Sequence, residues 1–296
     1  VIALREALTR AAGQLAAHPQ LQPTAVADAT VLMMHALAID RAALIAHPER
    51  PISRDDQAAI QRLVERRLLF EPIQYITGTQ EFYGLALHVT KDVLIPRPET
   101  ELLVEAVIQR YKSVPHSSQP HRDEWEPSRE FRIADIGTGS GAIAIALAHE
   151  LPQAFVTAID LSPKSLAIAH ENAVAHAVET RISFIQSDLL EAVAGEPPFD
   201  AIVSNPPYVP IADAETLHPQ VRDHEPAQAL FAGPTGLDIY TRLLPQAHAL
   251  LKPNGLLALE IGHGQRDAIA TLLTGWHKVE FLNDLQQIPR VALARR

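Results

Sequence analysis

The residues best suited to chemistry stand together in one stretch, Asp200-Ala201-Ile202-Val203-Ser204-Asn205-Pro206-Pro207-Tyr208. Ile202 and Val203 suit a buried strand, and Pro206 and Pro207 have no N–H to offer a neighbour, so sheet pairing must stop near Asn205. Pro206 also biases Asn205 toward extended backbone, which directs its amide and the adjacent carbonyls out of the end of the sheet. The corner offers two fixed acceptors, the Asn205 side-chain oxygen and the Pro206 carbonyl, with the Tyr208 ring beside them. It could hold an NH₂ group, amide or aromatic amine, whose delocalised lone pair must be oriented before it can attack. Pro-Pro also breaks loops that carry no chemistry, so the elements before it must decide.

A second stretch, Asp135-Ile136-Gly137-Thr138-Gly139-Ser140-Gly141, follows an apolar run and opens a helical one. Glycines at such a turn let backbone approach a ligand, and the N–H groups of the helix start face it. Gly137, Gly139 and Ala142 satisfy the dinucleotide pattern, whereas Gly137, Gly139 and Gly141 satisfy the GxGxG of methyltransferases, so the turn alone leaves NAD and S-adenosylmethionine open. Asp160, at the end of the next apolar run, suits a ribose diol in either case. Asp188 and Leu189 end the run after that, within reach of an adenine ring or as the cap of a short helix. Asn-Pro-Pro-Tyr at the end of the fourth run favours transfer of a methyl to an NH₂ over hydride chemistry.

These residues need a sheet to position them. Runs at 131–136, 155–159, 182–186 and 201–204 read as strands, and 141–150 and 163–177 as helices between them. A helix at 236–251, a strand at 256–261, a helix at 266–273 and strands at 279–282 and 291–293 complete the series. This is an α/β, doubly wound, mostly parallel Rossmann-like sheet with ligands above the carboxyl ends of its strands.

Before it stands a different pattern. Residues 1–72 read as a small helical bundle. Apolar residues recur at helical spacing in Leu4, Leu8, Ala11, Ala12 and Leu15 and in Val26, Ala29, Val31, Leu32 and Leu37, and a helix opens at Ser53 with Asp56 as capping-box partner. Met33 and Met34 read as core, and Arg62, Arg66 and Arg67 as a solvated face, with an acidic partner as the open alternative. Residues 73–95 read as a β-hairpin linker turning at Tyr83-Gly84, and 96–296 as the catalytic domain, with a polar, aperiodic insertion over 113–130 expected to be flexible.

The 296 residues are 47% hydrophobic and 20% charged, with a formal net charge of -10. That balance disfavours binding driven by phosphate neutralisation, so no direct nucleic-acid partner is expected. Cysteine is absent, which excludes disulfides and thiolate chemistry and fits a reducing cytoplasm. The 14 histidines are scattered with no ligand spacing, so no metal is expected. No run reaches the roughly 20 apolar residues of a membrane span, and the first residues show no export signal.

The chain resembles the release-factor glutamine N5-methyltransferases of the HemK/PrmC family. The resemblance rests on EPIQYITGTQEFYG from Glu71, LIPRPETELLVE from Leu94, DIGTGSGAIAIALA from Asp135, AIDLSPKSLAIAHENA from Ala158, QSDLL from Gln186, VSNPPYVP from Val203, VRDHEP from Val221, GLDIY from Gly236 and LALEIG from Leu257. It implies methyl transfer from S-adenosylmethionine to the glutamine of the GGQ loop of peptide chain release factors, by a monomer. Gly137, Thr138, Gly139, Ser140 and Gly141 would hold the methionine part of the donor, Asp160 its ribose, and Asp188 and Leu189 its adenine, with Asn205 alongside. Asn205, Pro206, Pro207 and Tyr208 would grip the glutamine, with Asn205, Pro206 and Tyr208 closest to the chemistry and Arg97 and Glu99 bordering the pocket. The bundle would recognise the release factor outside that loop. The chain departs from the usual pattern at Phe231-Ala232-Gly233-Pro234, at Gln286-Gln287-Ile288-Pro289 and in the length of the insertion. An adenine N6-methyltransferase is the rival enzyme, but the chain has no separate target-recognition region or basic tract. A non-catalytic release-factor or ribosome adaptor is the rival outside catalysis, and intact Asn205, Tyr208 and Asp160 argue against it.

Overall fold

The computed structural model describes residues 2–112 and 130–296, so the expected insertion lies, but for Glu130, outside the described residues. The chain forms two compact units, one running to Thr79 and including Leu217–His224, the other comprising Gln80–Thr216 and Glu225–Arg296.

The first unit is helical: β1 (Ile2–Ala3), α1 (Leu4–Ala16), α2 (Ala25–Leu37), α3 (Arg41–Ala46), β2 (Pro51–Ile52), α4 (Arg54–Leu68) and α5 (Ile73–Thr77). Leu4, Ala7, Ala11 and Leu15 of α1 pack with Ala25, Ala29, Leu32 and Met33 of α2 and Ile60 and Val64 of α4 in one core, each set at the three-and-four spacing of a helix face. Val26 and Val31, counted on the apolar face from sequence, are exposed, because the buried stripe of α2 is phased one residue away. The Ser53 hydroxyl accepts from Asp56 N–H at 3.0 Å, and the Asp56 carboxylate accepts from Ser53 N–H at 3.1 Å, completing the expected capping box. One of the three arginines expected on a solvated face is not there. Arg67 is buried on Asp28 at 2.7 Å, and Arg66 pairs with Glu71 at 2.7 Å, while Arg62 is exposed. The short pairing of β1 with β2 and the helix α5, closed by Gly78 at φ +78°, have no signal in the sequence beyond a few residues.

The second unit opens with the paired strands β3 (Thr79–Phe82) and β4 (Leu85–His88), joined by Tyr83 and Gly84, both at positive φ, as a tight hairpin turn requires. Then come α6 (Glu101–Lys112), β5 (Phe131–Ile136), α7 (Ala142–Glu150), β6 (Ala154–Asp160), α8 (Pro163–Ala175), β7 (Ile182–Gln186) and β8 (Phe199–Ser204). After α9 (Pro219–Arg222), which belongs to the first unit, the chain continues through α10 (Asp238–Leu250), β9 (Leu251–Glu260), α11 (Arg266–Leu272), β10 (His277–Asn283) and β11 (Pro289–Arg295).

Seven strands make one sheet in the order β10-β11-β9-β8-β5-β6-β7. All pairings from β9 to β7 are parallel, and β11 runs antiparallel to both of its neighbours. Every residue of β8 is buried, as expected for a strand covered on both faces. Alternation sorts the layers: Ile133, Val156, Ala201, Val203 and Leu256 face the core with α6 and α7, while Ala134, Ile136, Ile202, Leu257 and Leu259 face the core with α10 and α11. The strand β9 begins five residues before the expected Leu256, directly after α10. Lys252-Pro253-Asn254-Gly255 reads as a turn but is absorbed as an irregularity in the pairing of β8 with β9, with Asn254 at φ +62°. Strands are added outward from β5 through β6 to β7 on one side and from β8 to β9 on the other, so the order switches between β5 and β8, and the carboxyl ends of β5, β6, β7 and β8, all pointing the same way, open onto a common cleft.

Candidate active site

The cleft holds about 860 Å³ of empty space, open solvent at its mouth included, and is bordered by Gly137, Gly139, Asp160, Leu189, Asn205 and Pro206 among others. It lies entirely within the second unit. Gly137 and Gly139 follow β5 at φ +72° and +56°, and a side chain built on Gly137 would come no nearer than 4.0 Å to the Asn205 carbonyl, so these two glycines keep open space at the cleft. Gly141 serves packing instead: at φ +84°, a β-carbon there would stand 2.9 Å from Ile145 and 3.1 Å from Ala169. The turn is braced from below by Asp135, which is fully buried. Its carboxylate accepts from the Thr138 hydroxyl at 2.6 Å and from Ala144 N–H at 3.1 Å. Burial pushes this carboxyl up to about 7, although both bonds pull the other way. Thr138 and Ser140 are buried, with Thr138 N–H donating to the Ile159 carbonyl at 3.0 Å and the Ser140 carbonyl accepting from Asn172 at 2.9 Å, so both brace the turn and neither lines the cleft.

Asp160 ends β6 at the cleft. One oxygen accepts Ser162 N–H and the other Gly139 N–H, both at 2.9 Å. The carboxylate keeps acceptor capacity for a ligand hydroxyl. Burial raises this carboxyl and the backbone donors lower it, with a net upward shift. Asp188 also borders the cleft, but its carboxylate pairs with Arg242 at 2.6 Å. Leu189 beside it stands at φ +52°, an uncommon conformation for a leucine. It turns an apolar side chain into the cleft wall while Leu190 N–H is held by Gln246 at 2.9 Å.

The proline corner has the geometry its composition implies: β8 stops at Ser204, whose hydroxyl donates to the Ile136 carbonyl at 2.8 Å. The next four residues make no ladder; Val209 N–H then donates to the Leu230 carbonyl at 2.9 Å, and the Val209 carbonyl accepts from Ala232 N–H at 3.0 Å. Asn205 donates its side-chain NH₂ to the Thr100 hydroxyl at 3.0 Å, which leaves the amide oxygen as its uncommitted edge. The Tyr208 hydroxyl donates to Glu260 at 3.3 Å, and the Tyr208 carbonyl accepts from Gln265 at 3.0 Å. Gly236 is required here, because a β-carbon would stand 2.3 Å from the Tyr208 carbonyl oxygen. Arg97 forms an ion pair at 2.5 Å with the buried Glu225, and Glu99 is exposed; neither borders the cleft.

Three residues that hold this corner escaped the sequence reading: Thr100, Glu260 and Gln265. Each lay inside a stretch already singled out or next to one, LIPRPET, LALEIG and the glycines after it, but none has a side chain whose type alone announces a role. Among the described residues no group of three or more His, Asp or Glu could hold a metal ion, and no helix is long and apolar enough to cross a membrane.

A mostly parallel sheet of this strand order, a glycine turn after its first strand, an acid after its second and Asn-Pro-Pro-Tyr after its fourth define a Rossmann-like methyltransferase. The "Methyltransferase small domain" family matches residues 123–221, and the "PrmC N-terminal domain" family matches residues 6–78. The release factor glutamine methyltransferase of Koribacter versatilis is 43% identical over 93% of this chain and 92% of its own, and that of Moorella thermoacetica is 43% identical over 91% and 89%. A bifunctional methyltransferase of Rickettsia bellii is 37% identical over 89% of this chain and 50% of its own. The chain belongs to the release factor glutamine methyltransferase family. Among solved structures, the hMettl16 catalytic domain aligns with a TM-score of 0.53 at 15% identity, over 82% of each chain. The T. thermophilus 16S rRNA N2 G1207 methyltransferase aligns with a TM-score of 0.52 at 21% identity, over 74% of this chain and 49% of that one. Both share the fold.

Proposed function

We propose that this chain methylates the side-chain amide nitrogen of the glutamine in the GGQ loop of peptide chain release factors, with S-adenosylmethionine as donor. The observation that carries the reading is the state of Asn205: its NH₂ is spent on Thr100, so what it offers at the cleft is an acceptor, the group a substrate NH₂ needs. Family membership over nine-tenths of the chain supplies the substrate class.

The cleft suits the donor. Gly137 and Gly139 leave room against the turn, Asp160 retains lone pairs for a diol, and Leu189 offers an apolar wall. Bound there, S-adenosylmethionine would supply a methyl carbon made electrophilic by its sulfonium. The work of this chain is then orientation. Asn205 and the Pro206 carbonyl accept the two N–H groups of the glutamine, which turns its nitrogen lone pair away from them, and Tyr208 lies against the planar amide. Acceptors fixed in advance cost no reorganisation when charge develops on the nitrogen.

In this reading residues 1–72 recognise the release factor outside the loop, 73–95 link, and 96–296 carry the chemistry, in a cytoplasmic monomer. The test is labelling of a purified release factor with methyl-labelled S-adenosylmethionine. Label is expected on the GGQ glutamine and lost when that glutamine is changed to another residue. Equal labelling of adenine-containing DNA or RNA would overturn it.

A further inference from the structure

Glu260 is a carboxylate with 2% exposure at the end of β9, and nothing in the methyl transfer above uses it. Its Oε2 accepts from the Thr100 hydroxyl at 2.6 Å, its Oε1 from the Tyr208 hydroxyl at 3.3 Å, and its backbone carbonyl from Tyr240 at 2.7 Å. Thr100, 4% exposed, closes the short turn Pro98–Thr100 before α6 and also receives the Asn205 NH₂ at 3.0 Å.

A threonine hydroxyl has one proton, and an ionised carboxylate can only accept. While Glu260 is charged, the Thr100 proton is committed to it, and the threonine oxygen meets Asn205 as an acceptor. Asn205 must then present its NH₂ to Thr100 and its carbonyl oxygen to the other side. A protonated Glu260 can donate to Thr100 instead, which frees the threonine proton for the Asn205 oxygen and makes the opposite amide rotamer equally satisfied.

We propose that Glu260 and Thr100 are positioning residues that set the direction of the hydrogen bonds reaching Asn205, so that ionised Glu260 holds the Asn205 oxygen toward the acceptor amide. What occupies the cleft rests on the glutamine reading; the polarity of the chain of bonds does not. The groups facing Glu260 are Tyr208 from the loop after β8, Glu99 and Thr100 from the turn before α6, Arg290 from β11 and Tyr240 from α10, with Arg97 facing Tyr208. Burial opposes the charge most strongly, the bonds from Thr100 and Tyr208 and the charge of Arg290 favour it, and Glu99 opposes it, with the carboxyl pushed up to about 7. The switch in polarity therefore falls near neutral pH.

The experiment uses the full chain with ¹⁵N- and ¹³C-labelled side chains and no substrate. The Asn205 NH₂ resonances are expected to shift with pH in step with the Glu260 carboxyl carbon, to keep that behaviour in Thr100→Ser and to lose it in Thr100→Val. Resonances that ignore Glu260, or that titrate unchanged in Thr100→Val, overturn the proposal. In turnover, Thr100→Val is expected to lower kcat at least tenfold with less than a threefold change in KM, and Thr100→Ser to stay within threefold of the parent. Glu260→Gln, which cannot titrate, is expected to lose the acidic limb of the kcat profile. Persistence of that limb with the same midpoint, or equal impairment of Thr100→Ser and Thr100→Val, overturns it. If the parent labels no release factor, the substrate reading fails while the resonances still decide the relay.

Discussion

Gly139 N–H donates to the Asp160 carboxylate across 2.9 Å, so the glycine turn after β5 and the acid after β6 are one structure. Removing the carboxylate loses a cleft acceptor and loosens the turn together. Hydrogen bonds to a charged group contribute roughly 1.5 to 3 kcal/mol. Asp160→Ala is therefore expected to weaken S-adenosylmethionine binding by about tenfold to a hundredfold in calorimetry, with Asp160→Asn between it and the parent. An unchanged Kd in Asp160→Ala would remove Asp160 from the donor site.

Asn205→Ala takes away the oriented acceptor while sparing the cleft's glycines and Asp160. Donor affinity should stay within a few-fold of the parent, and kcat should fall by about a hundredfold, as for loss of one preorganised polar group. Single-turnover labelling separates the two quantities, and a parent-like kcat would show that Asn205 does not orient the acceptor.

The glycines of the turn should respond differently to alanine. At Gly141 the added carbon meets Ile145 at 2.9 Å and Ala169 at 3.1 Å in a left-handed conformation, and overpacking of this kind costs about 1 to 3 kcal/mol, with backbone strain in addition. Gly137→Ala carries the same left-handed strain at φ +72° but meets nothing nearer than 4.0 Å, so it should lose less stability than Gly141→Ala and should lose donor affinity as well. Urea unfolding that ranks Gly137→Ala as the less stable variant would contradict this division.

Arg97 neutralises Glu225, whose side chain has no exposure. Burial already raises the Glu225 carboxyl, and Arg97 holds it down. Arg97→Ala would strand that charge, at about 3 kcal/mol, and a second change, Glu225→Gln, should restore part of the loss. A double-mutant cycle in urea with no coupling between the two positions is the contrary result.

Glu260 carries a stability cost as well as a role. Its carboxyl stands at about 7 in the folded chain against an ordinary 4.5, so the unfolded chain releases this proton first as pH rises. The associated stability is complete below 4.5 and is lost progressively up to about 7. At about 1.4 kcal/mol per pKa unit the loss is on the order of 3 kcal/mol. Glu260→Gln should lack this component, so the difference in unfolding free energy between variant and parent should move in the variant's favour from pH 4.5 to pH 7.5. A difference that is flat with pH would place the Glu260 carboxyl at its ordinary value.

What the sequence determined by itself were the features whose cause is local. Two prolines must end a strand, glycines must accept left-handed turns, and period-two and helical spacings must sort side chains between core and solvent. The seven-strand sheet, the capping box at Ser53 and the corner at Asn205 were legible for that reason. The phase of α2, the burial of Arg67 and the early start of β9 were not, because each depends on which neighbour covers that residue. Only the tertiary structure decided how the corner is held. Thr100 lies 105 residues from Asn205 and 160 from Glu260 along the chain. A threonine, a glutamate and a glutamine carry no pattern that announces such a meeting. The fold brings the turn before α6 and the end of β9 against the end of β8, and in that dry contact a single hydroxyl proton settles which edge of Asn205 faces the cleft.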